Sequence, residues 1–128
     1  MTLGAPGPVG EDKILLEGMI FYGYHGVRQA EKEVGQRFVV DLEVWKDLAP
    51  AGWSDDLAQT VNYAALYQLV AGIVTGPACN LIETVAERIA AAVLAQFPVD
   101  AVRVRVRKPE APIPGVLAGA AVEILRRR

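Results

Sequence analysis

The hexapeptide Val102-Arg-Val-Arg-Val-Arg107 alternates an aliphatic with a charged side chain at every step. Successive side chains of an extended strand point to opposite faces, so this stretch reads as a strand with one face in a core and the other in water. Such a strand needs partners on both sides and a layer to cover its valines. Phe38, Val40, Leu42 and Val44 alternate with Val39, Asp41 and Glu43 and supply a second strand. The apolar run from Ile14 to Phe21 supplies another, interrupted by Gly18, where a bulge is expected. After the turn-rich stretch from Pro109 to Gly115, Ala120 to Leu125 supplies a fourth.

Between the second and third strands the period changes. Tyr63, Leu66, Tyr67, Val70 and Val74 recur at helical spacing until Gly76-Pro77 stops them. Ile82, Val85, Ala86, Ile89 and Val93 do the same between Asn80 and Phe97, where Pro98 follows. Trp53-Ser-Asp-Asp-Leu57 reads as a polar connection. The expected class is α+β, a four-stranded, mainly antiparallel sheet with two helices packed on one face. Its two edge strands invite pairing with further copies of the chain.

At 128 residues the chain fits one domain, taken as residues 13–128 behind a flexible, Gly- and Pro-rich lead-in over 1–12. A hydrophobic content of 52% and a net charge of −2 exclude a disordered tail and a strongly basic nucleic-acid binder. Arg103, Arg105 and Arg107 line one face of their strand, where solvation is the ordinary reading and a phosphate strip the rarer one. Cys79 and His25 are each alone, so neither a disulfide framework nor a multi-histidine or multi-cysteine metal site fits within one chain. No apolar run reaches the roughly 18 residues of a membrane span. The expectation is a cytoplasmic protein without metal or bound cofactor.

Several side chains could carry chemistry. Lys108 shares the parity of Val102, Val104 and Val106, so it emerges from the apolar face at the strand's end. Partial desolvation there favours the uncharged amine, which can accept a proton; the alternative is a lysine that snorkels to solvent. Asn80-Leu-Ile-Glu83 has capping-box spacing, so Glu83 either folds back on its helix start or projects to grip paired N–H donors. Tyr63 opens a helix, where a half-buried core aromatic is the common case. Glu31 and Gln36 lie in a polar connection between strands, where solvated side chains are the default. The aromatic run Phe21-Tyr-Gly-Tyr-His25-Gly26 reads as a packed turn, with His25 structural.

Taken in order, Phe21-Tyr-Gly-Tyr-His-Gly-Val27, Glu31 with Glu33-Val-Gly-Gln36, Phe38 to Asp41, Thr60-Val-Asn-Tyr63, Asn80-Leu-Ile-Glu83 with Ala86-Glu-Arg88, and Lys108-Pro with Pro112-Ile-Pro-Gly115 resemble the dihydroneopterin aldolase family. The resemblance spans roughly residues 13 to 127. It implies the tunnelling fold, in which subunits join sheets edge to edge into a barrel as tetramers or octamers with sites between subunits. It also implies a pterin substrate, 7,8-dihydroneopterin, cleaved to 6-hydroxymethyl-7,8-dihydropterin and glycolaldehyde in folate biosynthesis. On that reading Glu83 anchors the ring, helped by backbone near Val61 and Ile82. Lys108 is the base, Tyr63 the final proton donor, and Glu31 with Gln36 holds the side-chain hydroxyls. An epimerase acting on dihydroneopterin or its triphosphate is the rival within the family, and a non-catalytic binding module the rival outside it.

Overall fold

A computed structural model describes residues 10–128. The lead-in expected over 1–12 therefore lies mostly outside the described residues. Of its remainder, Asp12 is tied to the sheet's end, its carbonyl accepting from Lys46 N–H and its carboxylate from Leu48 N–H.

Four strands form one sheet in sequence order, every neighbouring pair antiparallel: β1 (Lys13–Gly23), β2 (Gln36–Trp45), β3 (Ala101–Lys108) and β4 (Ala120–Arg127). Two long helices, α3 (Tyr63–Val74) and α4 (Ile82–Gln96), cover one face. The alternation seen in the sequence is the alternation in space. Val102, Val104 and Val106 are fully buried beside Val40, Leu42 and Val44, their register partners on β2. Leu66, Val70 and Val74 of α3, with Val85, Ile89 and Val93 of α4, close the core from above. Burial of each such side chain contributes about 1.5–3 kcal/mol.

The bulge falls at Gly18. Register shifts between Leu16 and Met19, Gly18 takes a φ of +66°, and its N–H donates to the Asp41 carboxylate at 2.7 Å. Only glycine adopts that backbone geometry without strain.

The arginine face is compensated in part. Arg103 lies 3.4 Å from Glu43 and 3.8 Å from Glu123, with its guanidinium over the Trp45 ring. Arg126 pairs with Glu87, and Arg128 donates to the carbonyls of Leu94, Phe97 and Val99. Arg107 Nε is buried without a hydrogen-bond partner, so the strip is paired at Arg103 and not along its whole length.

Two short helices were not anticipated, α1 (Gln29–Val34) and α2 (Ala49–Ser54), the latter followed by a 3-10 turn at Leu57–Gln59. Neither short helix has a fully buried residue, so neither leaves an apolar period in the sequence.

Candidate active site

The end of the sheet where β1 finishes gathers most of the charged candidates. Glu31 sits in the first turn of α1, and Lys108 ends β3. Their side chains meet, Lys108 Nζ donating to Glu31 Oε2 at 2.7 Å. Gln36 Nε2 donates to the same oxygen at 2.9 Å, and Arg28 N–H donates to Oε1 at 3.2 Å. Burial pushes the Glu31 carboxyl up, but the bonds from Lys108, Gln36 and the Arg28 amide outweigh it and hold the group below the ordinary value of 4.5. Lys108 does emerge on the apolar side of its strand, yet it is neither alone nor snorkelling to solvent. Sequence parity found the lysine but gave no sign of its partner, which lies 77 residues away.

Glycine makes this packing possible. A side-chain carbon on Gly26 would come within 2.4 Å of the Glu31 carboxyl carbon. Lys32, which sequence reasoning passed over, donates from Nζ to the Gly26 carbonyl and secures the same turn. A cleft of about 570 Å³ opens beside the pair, lined by Glu31, Gln36, Tyr22, Val34, Arg37 and Glu110 among others.

Glu83 lies at this same end, because α4 starts there. Cys79, just upstream, bonds to His25 and Gly26 beyond the end of β1. The capping reading of Glu83 is overturned. The helix begins at Ile82 with Leu81 as its cap residue, at φ −120° and ψ 141°, and no side chain caps it. Asn80 is thus one residue too early to cap, and Glu83 is the second helical residue, not the third. Its side chain is exposed, and no hydrogen bond to its carboxylate is found among the described residues. A helix N-terminus with a free carboxylate presents both oxygens to a ligand.

Val61 and Tyr63 stand elsewhere. Val61 is buried, whereas Tyr63 is 63% exposed at the start of α3, where Asn62 provides the helix cap to Ala64 N–H at 2.9 Å. They line a second cleft of about 570 Å³ with Ile14, Leu48, Leu57 and Thr60. Ile14 opens β1 and pairs with Val44, while Gly23 closes it against Gln36. The two clefts are thus separated by the length of β1, roughly 25–30 Å at about 3.3 Å per residue. One chain therefore brings Glu31, Gln36, Lys108, Ile82 and Glu83 to one end of the sheet and leaves Val61 and Tyr63 at the other.

Among the described residues no group of three or more His, Cys, Asp or Glu side chains could hold a metal ion. No helix among them is long and apolar enough to cross a membrane.

Comparison with known proteins gives this arrangement its context. The profile of the family described as FolB: Dihydroneopterin aldolase matches residues 14–125. A dihydroneopterin aldolase of Bacillus subtilis is 52% identical over 118 residues, covering 91% of this chain and 98% of that protein. The crystal structure of E. coli dihydroneopterin aldolase in complex with neopterin superposes with a TM-score of 0.84 at 33% identity, covering 91% of this chain and 99% of that one. A Burkholderia dihydroneopterin aldolase bound to guanine gives a TM-score of 0.74 at 31% identity, with 91% of each chain covered. Fold and relatives together define a carbon–carbon lyase built on an α+β sheet. Within that class the chain belongs to the dihydroneopterin aldolase family, whose reaction serves folate synthesis; a dedicated epimerase is not favoured.

Proposed function

We propose that the chain breaks the C1′–C2′ bond of 7,8-dihydroneopterin at sites each completed by two copies of the chain. The observation that carries the sharing is the separation of the two groups of residues by a full strand length. A bicyclic ring with a three-carbon side chain cannot span that distance. A neighbour that docks its Tyr63 end against the Lys108 end of this chain would close the gap. The unpaired edges of β1 and β4 supply a reason for such docking, since edge pairing removes exposed backbone donors and acceptors. The reading includes a ring of four subunits, alone or stacked in pairs, in the cytoplasm, with neither nucleic acid nor membrane as a partner.

The chemistry then follows from the substrate. A proton leaves the 2′-hydroxyl, the C1′–C2′ bond breaks, and C2′ departs as the aldehyde carbon of glycolaldehyde. The electron pair moves through C6 to N5, because the ring imine is the sink. N5 takes up a proton as it receives the pair; adding a proton at C1′ and losing the one on N5 then restores the imine in the hydroxymethyl product. Neither a Schiff base nor a metal is needed for that balance.

Glu83 takes the ring's N3–H and 2-amino group, a paired-donor edge matched by two carboxylate oxygens. Backbone groups near Ile82, and near Val61 of the neighbour, complete ring recognition. Substrate hydroxyls bonded to Glu31, with Gln36 in support, compete with the ammonium of Lys108 for that carboxylate. Released from that pairing, Lys108 passes its ammonium proton to solvent and, as the neutral amine, takes the 2′-hydroxyl proton, directly or through water. The neighbour's equivalent of Tyr63 stacks on the ring and relays the proton to C1′. Re-addition of the aldehyde to the opposite face uses the same groups, so slow epimerisation accompanies cleavage. Incubation with 7,8-dihydroneopterin and chromatography of the products is the test. Hydroxymethyldihydropterin and glycolaldehyde in equal amounts are expected; an epimerised pterin alone would make the chain an epimerase.

A further inference from the structure

His25 is the one fully buried ionisable side chain among the described residues, and the mechanism does not use it. Both ring nitrogens are occupied. Nε2 lies 2.7 Å from the carbonyl oxygen of Val74, the last residue of α3. Nδ1 lies 3.0 Å from the backbone nitrogen of Cys79. A carbonyl only accepts and a peptide N–H only donates, so the partners assign the ring hydrogen to Nε2 and leave Nδ1 as an acceptor. The Phe38 ring packs edge-on against the imidazole at 5.2 Å and fixes its plane.

The next residue completes a clamp. Gly26 N–H donates to the Cys79 carbonyl at 2.9 Å, so both backbone groups of Cys79 are held by His25 and Gly26. Cys79 leads through Asn80 and the extended Leu81 into Ile82 and Glu83. On its other side Gly26 abuts the Glu31 carboxyl and receives Lys32 on its carbonyl. The dipeptide thus links the start of α4 to the Glu31–Lys108 pair. It also explains why α4 starts late, since a chain pinned at Cys79 in this way is not yet helical.

We infer that His25 is a positioning residue, whose Nδ1 acceptor fixes the pterin-anchoring carboxylate of Glu83 at the correct distance from Lys108. This rests on the anchoring role of Glu83 proposed above. The two bonds of the imidazole can be removed separately. Glutamine reaches the Nε2 position and can still donate to Val74, but it offers no acceptor at the δ position. Asparagine places an oxygen near Nδ1 and gives up the Val74 bond.

The experiment measures affinity for the non-reacting pterin neopterin, and kcat and KM for dihydroneopterin, in assembled enzyme carrying His25→Gln, His25→Asn or Glu83→Gln. His25→Gln should weaken neopterin binding about tenfold or more and raise KM, because a buried donor is left without its partner and the anchor shifts. His25→Asn should rescue most of that loss even where its melting temperature is the lower of the two. Parental affinity in folded His25→Gln, or equal losses in both variants, would overturn the inference. Glu83→Gln separates the two levels of the argument: parental affinity there defeats the anchoring role itself, whereas weakened binding there beside parental affinity in His25→Gln defeats only the role of His25. If His25→Gln does not fold, amide exchange on the parent protein decides. Saturating neopterin should slow exchange at Cys79 N–H more than at core amides of β2, and equal slowing would overturn the inference.

Discussion

Removing the Lys108 ammonium while leaving its carboxylate partner, as in Lys108→Met, should destabilise the fold as well as stop turnover. The two groups lie 2.7 Å apart, with side chains 13% and 9% exposed. At an effective dielectric of about 20, Coulomb's law gives roughly 6 kcal/mol at that separation. Desolvation of both ions cancels much of this, and hydrogen bonds to charged groups leave a net of about 1.5–3 kcal/mol. Gln36 and the Arg28 amide still hold the carboxylate in the variant, so a loss of about 1.5–2 kcal/mol is expected. Adding Glu31→Gln removes the orphaned charge and should restore part of the stability but none of the activity. Urea unfolding at one fixed protein concentration is the assay, because assembly makes stability depend on concentration. Acid provides a second reading. The folded Glu31 carboxyl sits below its ordinary 4.5, so its contribution is complete above that value and is lost as pH falls through the folded-state value. As pH falls below 4.5 the parent should therefore lose more stability than the double variant. If Lys108→Met proved as stable as the parent, with the same acid profile, the ion pair would carry no weight and the reasoning would fail.

Other substitutions test the roles one at a time. Glu83→Gln should weaken neopterin binding by about 1.5–3 kcal/mol in calorimetry, and an unchanged affinity would remove Glu83 from the site. Tyr63→Phe keeps the ring but loses the hydroxyl, so cleavage should persist while the electron-rich intermediate accumulates. Single-turnover analysis should then show more oxidised or epimerised pterin, and clean product at the parent rate would leave the tyrosine as a stacking wall only. Prolonged dialysis against EDTA should leave activity intact, and a loss that zinc restores would sink the imine-sink mechanism.

Strands, helices and their order were legible because period and burial coincide. Val102, Val104 and Val106 alternate in sequence and all point into the core, and Gly18 marks the bulge that its backbone angle permits. Tyr63 and Tyr67 share helical spacing with Leu66 and Val70, yet both tyrosines remain exposed. Periodicity finds a face but not how much of it a neighbour covers. The short helices escaped notice because nothing on them is buried. Asn80-Leu-Ile-Glu83 has capping-box spacing, so local sequence leaves the cap and the ligand readings of Glu83 both open. His25 holds Cys79, three residues before the helix begins and 54 residues away in the chain, a contact that no local pattern encodes. Glu31 and Lys108 were each identifiable by resemblance, while their direct pairing became visible only in three dimensions.

The shared site is tested most directly by mixing two inactive proteins. Lys108→Ala spoils one end of the chain and Tyr63→Ala the other, so neither assembly alone should turn over dihydroneopterin. Unfolding them together in equal amounts and refolding should give mixed assemblies in which about a quarter of the interfaces join two intact ends, as expected for random head-to-tail contacts. Activity should therefore return to about a quarter of the parent rate, and refolding either variant alone should give none. If mixed assemblies form but activity stays at zero, both groups must act from the same chain and the two-copy site is wrong.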